Sequence, residues 1–202
     1  MADDRELVQR LLDGDERAFN ELVNRYHPMM IRIAKNYCGR HDTVVEEVVQ
    51  ETWVAVLKGL PKFEGRASLK TWIFRILSNR AKTRGKRENR TTPLSALGSP
   101  DDAHPEVERF AVDGHWSSPP EPWTTTPEYL SSNVEAGAAI QAAIATLPDR
   151  QRLVITFRDV EGLSSAEVCN ILEISDTNQR VLLHRARTRV RDALADYLSG
   201  ER

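Results

Sequence analysis

The sequence predicts an all-α protein of two small helical domains joined by a long acidic, proline-rich linker. Three observations predict it. Apolar residues recur at three- and four-residue steps through both ends of the chain. Seven of the ten prolines (93, 100, 105, 119, 120, 122 and 127) fall in the one stretch with neither helical nor strand periodicity. Charge divides the chain at the same places: residues 1–90 hold 18 Lys and Arg against 13 Asp and Glu, residues 91–132 hold 1 against 7, and residues 133–202 hold 9 against 10. A total of -2 thus hides a basic first domain (1–90), an acidic linker (91–132) and a nearly neutral second domain (133–202).

With 40% apolar and 29% charged side chains in 202 residues, a fibrous or wholly disordered protein is excluded. No run approaches the roughly 18 apolar residues of a membrane span, and Met1-Ala2-Asp3-Asp4-Arg5 lacks a signal-peptide start. Membrane insertion is not expected, and a cytoplasmic location is. Cys38 and Cys169 are far apart in apolar-periodic segments, so both are expected to be small core residues rather than a disulfide or a metal knuckle.

Leu7, Val8, Leu11 and Leu12 form a short helical stripe ending at Asp13-Gly14, and Phe19, Leu22, Val23 and Tyr26 form a second. After Pro28 a third runs through Met29, Met30, Ile33, Ala34 and Tyr37 to Gly39. In a fourth helix Val45, Val48, Val49, Thr52, Trp53, Val56, Leu57 and Leu60 face inward, which leaves Glu46, Glu47, Gln50 and Glu51 as an outward acidic ridge. Gly59 and Pro61 end it. The loop Lys62 to Ala67 leads to Ser68, an N-cap for a fifth helix with Leu69, Trp72, Ile73, Ile76 and Leu77 inward. That helix runs out into Arg80, Lys82, Arg84, Lys86, Arg87 and Arg90, opposed only by Glu88. Six cations in eleven positions exceed what helix-end capping needs and favour a phosphate-contacting surface.

In the second domain Ile140, Ile144 and Leu147 precede Pro148, and the segment from Arg152 to Phe157 continues a buried helix up to Gly162. Ser164-Ser165-Ala166-Glu167 reads as a capping box opening a short apolar helix through Val168, Cys169, Ile171 and Leu172. After a turn from Glu173 to Asp176, the last helix runs from about Thr177 to Leu198 with Leu182, Leu183, Ala186, Val190, Ala193, Leu194 and Tyr197 inward. This is the layout of a helix-turn-helix, although an antiparallel helix pair with a charged face would share it. Asn178, Gln179 and Arg180 are placed outward, where amide and guanidinium forks meet base edges. Arg185, Arg187, Arg189 and Arg191 suit phosphates. A 42-residue tether has a coil reach of roughly 36 Å, comparable to one duplex turn of about 34 Å, so both lobes could hold one duplex.

Residues Glu46-Glu47-Val48-Val49-Gln50-Glu51-Thr52-Trp53, Phe63-Glu64-Gly65 and Leu69-Lys70-Thr71-Trp72-Ile73-Phe74-Arg75-Ile76, with Asn79 and the basic run, resemble the second conserved region of bacterial RNA polymerase sigma factors of the extracytoplasmic-function (ECF) group of the sigma-70 family. Gly162-Leu163-Ser164 to Arg187, ending His184-Arg185-Ala186-Arg187, resembles their fourth region. The resemblance implies a factor that binds core RNA polymerase, through the beta-prime clamp helices and the beta flap, and promoter DNA. It implies that Glu47, Gln50 and Glu51 meet the polymerase. For the minus-ten element it implies a pocket for a flipped base from Lys62, Phe63, Glu64, Gly65, Arg66 and Ala67, with Lys70, Trp72, Arg75, Asn79, Arg80 and Lys82 holding the separated strand. For the minus-thirty-five element it implies Thr177, Asn178, Gln179, Arg180, His184, Arg185 and Arg187. Many members begin the recognition helix with Gly-Thr-Val; here the residues are Asp176-Thr177-Asn178-Gln179-Arg180. Members thread the linker through the path of nascent RNA, and the net -6 of this one, with Trp116, Trp123 and Tyr129, suggests an RNA mimic in a cationic channel. Members are commonly held inactive by an anti-sigma protein, which is a candidate partner here. The chain ends directly after its last helix, so regulation is expected from the linker or a separate protein.

Two other classes compete. An enzyme would need a ligand cluster, phosphate loop or nucleophile elbow beside Glu46, Glu47 and Glu51 or the pair His41-Asp42, and none accompanies them; no catalytic residue, metal or cofactor is expected. His27, His104, His115 and His184 are scattered. A stand-alone helix-turn-helix regulator would bind a palindrome as a dimer and leaves the first lobe unexplained.

Overall fold

The computed structural model describes residues 2–39, 41–90 and 134–199, all in helices and their connecting turns. The linker expectations, with Trp116, Trp123 and Tyr129, lie outside the described residues.

Helix α1 (Ala2–Leu12) packs on α2 (Glu16–Cys38), which opens on Asp15: the carboxylate accepts the amides of Arg17 at 2.8 Å and Ala18 at 3.2 Å. The two stripes expected on either side of Pro28 are one continuous helix. Pro28 is exposed, while Leu22 and Tyr26 before it and Met30, Ile33 and Ala34 after it share one buried face. Burying such side chains yields about 1.5–3 kcal/mol each, which outweighs the roughly 3 kcal/mol cost of an interior proline. Helix α3 (Asp42–Gly59) and α4 (Leu69–Arg90) complete the first lobe, with Leu69, Ile73, Phe74 and Leu77 of α4 fully buried. Ser68 caps α4 as expected, its hydroxyl accepting the Thr71 amide at 3.1 Å. Leu12 and Leu57, expected inward, are each 44% exposed.

The second lobe comprises α5 (Val134–Ala145), α6 (Asp149–Ile155), α7 (Ser165–Leu172) and α8 (Asp176–Ser199). The buried helix expected up to Gly162 changes form: after Ile155 it widens into a π-helical turn, Thr156–Val160, closed by the Glu161 amide on the Thr156 carbonyl at 2.9 Å. That turn aims Phe157 out of its own lobe. Ala193, expected inward, is exposed, and Cys169, expected in the core, is only partly buried.

The lobes do not keep separate cores. Leu153, Phe157, Leu163, Val168 and Ile171 belong to one continuous apolar cluster with α2, α3 and α4, while α5, α8 and part of α6 form a second. At the junction Phe157 meets Phe74 edge to face, centroids 6.4 Å apart at 78°, and Phe74 meets Tyr26 at 5.9 Å and 90°.

Candidate nucleic-acid interface

Pro61 cannot extend α3, so the chain tightens into a 3-10 turn, Leu60–Lys62, pinned by buried Leu60 and by the Phe63 amide on the Leu60 carbonyl at 3.0 Å. Gly65, at φ 70°, lets the loop double back to Ser68. The result is an open cleft of about 290 Å³ lined by Lys62, Phe63, Glu64, Gly65, Arg66 and Ala67 from the loop and by Thr71, Trp72 and Arg75 from α4. Phe63 and Trp72 form its aromatic wall, 5.1 Å apart and tilted by 51°. Glu64 and Arg66 pair at its rim. The six residues for which the resemblance implies a base pocket therefore line one concavity. Trp72, expected inward by periodicity, is half-buried with its ring at this wall.

Leu69, Ile73 and Leu77 hold α4 in the core and turn Arg75, Asn79 and Lys82, which follow one another at helical spacing, to the surface. Not all the cations are open. Arg75 donates to Glu173 at 2.7 Å and to Asn170 at 3.4 Å, and Lys70 reaches the Glu161 carbonyl at 3.5 Å, all across the lobe junction. Arg80 pairs with Glu51 at 3.2 Å and Arg84 with Glu47 at 2.7 Å, which ties the acidic ridge of α3 to the basic face of α4. Glu47, Gln50 and Glu51 are exposed as expected. Val54, 51% exposed, and Leu57 continue the ridge, an apolar strip that the sequence reading missed. Counting threes and fours onward from Glu47 through Gln50 and Glu51 reaches Val54 and then Leu57.

In the second lobe the capping box forms. Ser164 accepts the Glu167 amide at 3.3 Å, and the Glu167 carboxylate accepts the Ser164 amide at 2.9 Å. Burial alone would raise the Glu167 carboxyl, but bonds from the Ser164 amide and hydroxyl and the Thr71 hydroxyl, with the charge of Lys70, hold it below its ordinary value. Helix α7 ends on Glu173 in the left-handed conformation at φ 56°, and Ser175 accepts the Asn178 amide at 3.2 Å to start α8. Thr177 and Arg180 are exposed and Asn178 is partly so. Gln179 is not where the sequence reading placed it: it is 1% exposed, with its side-chain oxygen 2.9 Å from the Ser165 hydroxyl. It locks the two helices together and is turned away from any base. His184 and Arg185 are half-buried. Arg187, assigned to phosphate, grips Asp159 through two bonds of 2.8 and 2.7 Å, and this pairing raises its pKa.

Sigma-70 region 2 matches residues 22–91, and Sigma-70, region 4 matches residues 137–190. The ECF RNA polymerase sigma-E factor of Escherichia coli (strain K12) is 31% identical over 184 residues, covering 91% of this chain and 90% of that one. The chain belongs to the ECF sigma factors. The sigma-E factor of Haemophilus influenzae is 29% identical over 191 residues, 95% of each chain. Among solved structures, CnrH in complex with the cytosolic domain of CnrY has a TM-score of 0.59 at 23% identity, covering 96% of this chain and 97% of that one. The sigma factor RpoE in complex with the anti-sigma factor NepR from Bartonella quintana has a TM-score of 0.59 at 20% identity, covering 88% and 96%. Both fold alike with this sigma factor. The region 2 match spans the cleft and the basic helix, and the region 4 match spans the helix-turn-helix, so a stand-alone regulator is not favoured. Sigma factors act in transcription initiation without catalysing a reaction. Among the described residues no helix is long and apolar enough to cross a membrane.

Proposed function

We propose that this sigma factor binds core RNA polymerase and divides promoter recognition between its lobes, residues 1–90 opening the minus-ten element and residues 133–202 reading the minus-thirty-five element as duplex. The observation that carries it is the cleft with Phe63 and Trp72 on one wall and Arg75 at its mouth. A base extruded from the stack costs a few kcal/mol, and stacking on an aromatic side chain returns about 1–3 kcal/mol, so such a cleft suits a base only when the strand is already separated. Arg75, Asn79 and Lys82 take the phosphates that follow, with Lys70 and Arg80 joining them. The ridge Glu47, Gln50 and Glu51, continued by Val54 and Leu57, docks on the clamp helices, and the second lobe docks on the beta flap. Thr177, Asn178 and Arg180 face base edges, and Arg185 the backbone. The factor works where the polymerase works, in the cytoplasm, and an anti-sigma protein of the kind bound to RpoE in the Bartonella complex is a candidate partner.

Run-off transcription tests this. Purified chain added to sigma-free core polymerase should give discrete transcripts from fragments of its own genome, and Trp72→Ala should reduce open-complex formation on the same fragments. Absence of promoter-directed transcripts from every fragment, with the chain folded by circular dichroism, would sink the reading.

A further inference from the structure

Helix α1 touches both ends of the loop that builds the base cleft. Where the loop ends, the Asp4 carboxylate accepts the backbone amide of Leu69, the first residue of α4, at 2.9 Å and across 65 positions of sequence. Where the loop begins, α1 packs against the 3-10 turn Leu60–Lys62. Between these anchors no helix or strand holds residues 63–68, so the placement of the cleft-lining loop follows the placement of its ends. Leu69 is fully buried, and its amide is one of the first-turn donors that no carbonyl within α4 can take. Ser68 serves the Thr71 amide through its hydroxyl and the Trp72 amide through its carbonyl, which leaves the Leu69 amide to be served from outside the loop. A carboxylate suits that place, because the positive end of the helix dipole favours it.

The rest of α1 is fixed. Val8 is buried in the apolar cluster, and Arg10 holds Asp15 at 2.9 Å and Glu21 at 3.5 Å, at the start of α2. Helix α1 is therefore a strut with one end on α2 and the other on the first amide of α4. Asp4 and Leu69 both belong to the first lobe, so the strut draws nothing from the second. Asp4 does not itself line the cleft.

We propose that Asp4 is a positioning residue for base capture: by fixing the point where the loop rejoins α4, it sets the spacing between the loop and Trp72 and hence the fit of the cleft to an extruded base. This rests on the assignment of the cleft to a base. Such a fit has to hold to within about 0.5 Å, which residues behind the contacting groups must supply.

Holoenzyme assembled from each variant and core polymerase is titrated with the labelled non-template minus-ten strand of a promoter that run-off transcription yields. The strand is used intact and with each nucleotide in turn made abasic. The position at which an abasic site costs the parent most marks the captured base. The ratio of intact to abasic affinity there measures capture, and a general loss of stability divides out of it. Asp4→Ala should lower this ratio about fivefold, the factor that a lost cap of ordinary strength carries. Asp4→Asn keeps a side-chain oxygen acceptor and should hold the ratio within about twofold of the parent, since Asn caps as well as Asp. Ile33→Val, a core truncation of similar cost in the same lobe, should leave the ratio unchanged. An unchanged ratio in Asp4→Ala, a loss in Asp4→Asn as large as in Asp4→Ala, or an equal loss in Ile33→Val overturns the positioning role. A parent for which no abasic position costs more than the others is a different failure: the base assignment itself falls and takes the role of Asp4 with it.

Discussion

The side-chain oxygen of Gln179 lies 2.9 Å from the Ser165 hydroxyl, in the crook where α7 meets α8. The residue that looks like a base reader is a clasp of the motif that carries the readers. Gln179→Ala should therefore cost stability, about 0.5–3 kcal/mol for the lost packing of a buried side chain and its bond to Ser165, read from the urea midpoint. Relative affinities among promoter variants should stay as they were. Arg180→Ala should do the opposite, relaxing base preference by about 1–3 kcal/mol in competition gel shifts, because its guanidinium is exposed and, among the described residues, pairs with Asp176 one turn earlier.

Periodicity alone would have placed Gln179 correctly. Stepping back four residues from buried Leu183 lands on it, on the stripe that continues through Ala186 and Val190. Amide chemistry pulled the reading outward against the geometry. The caps at Ser68 and Ser164 and the cleft-lining loop were legible because each depends on residues close together in sequence. The lobe junction was not, since the apolar face of Val168 and Ile171 looks the same whether it covers its own lobe or another. Nothing local announces that Glu161 answers Arg32, a partner 129 residues away. Leu57 failed for a related reason: an apolar residue at the edge of a stripe can serve the core or a partner, and the pattern does not distinguish them.

Gly85 sits where α4 crosses the end of α2, and a Cβ there would come within 2.5 Å of the Tyr37 carbonyl oxygen. Backbone cannot swing aside as a side chain does. Gly85→Ala should destabilise by about 1–3 kcal/mol, despite a gain of roughly 1 kcal/mol in helix propensity. Gly59→Ala, whose Cβ would meet the Trp72 ring at 3.0 Å, should cost less because the indole can shift. Thermal unfolding of the two variants side by side checks the order.

Glu167 gives stability a pH dependence with a definite sign. Its folded pKa lies below the ordinary 4.5, so the ionised form is favoured by folding. Its contribution is complete above that ordinary value and drains away as pH falls through the lower folded value. Asp15, held low by the Ala18 amide and by Arg10, acts in the same direction. Urea unfolding from neutral pH into the acid range should fall less steeply for Glu167→Gln than for the parent chain. An equal slope would mean that the capping box and Thr71 do not favour the carboxylate.

Arg187 and Arg189 stand two residues apart and should behave differently. Arg189 is exposed, so Arg189→Ala should weaken binding to all duplexes alike and reduce the slope of log affinity against log salt by about 1, as one lost phosphate contact does. Arg187 is spent on Asp159, which ties α8 to the π-helical turn that presents Phe157. Arg187→Ala should leave the salt slope nearly unchanged and lower the unfolding midpoint, by up to about 1 kcal/mol for a half-exposed forked pair. Asp159→Asn gives the decisive comparison: if Arg187 is structural, the two substitutions should destabilise similarly, whereas a phosphate-binding Arg187 would be freed by Asp159→Asn and bind DNA more tightly.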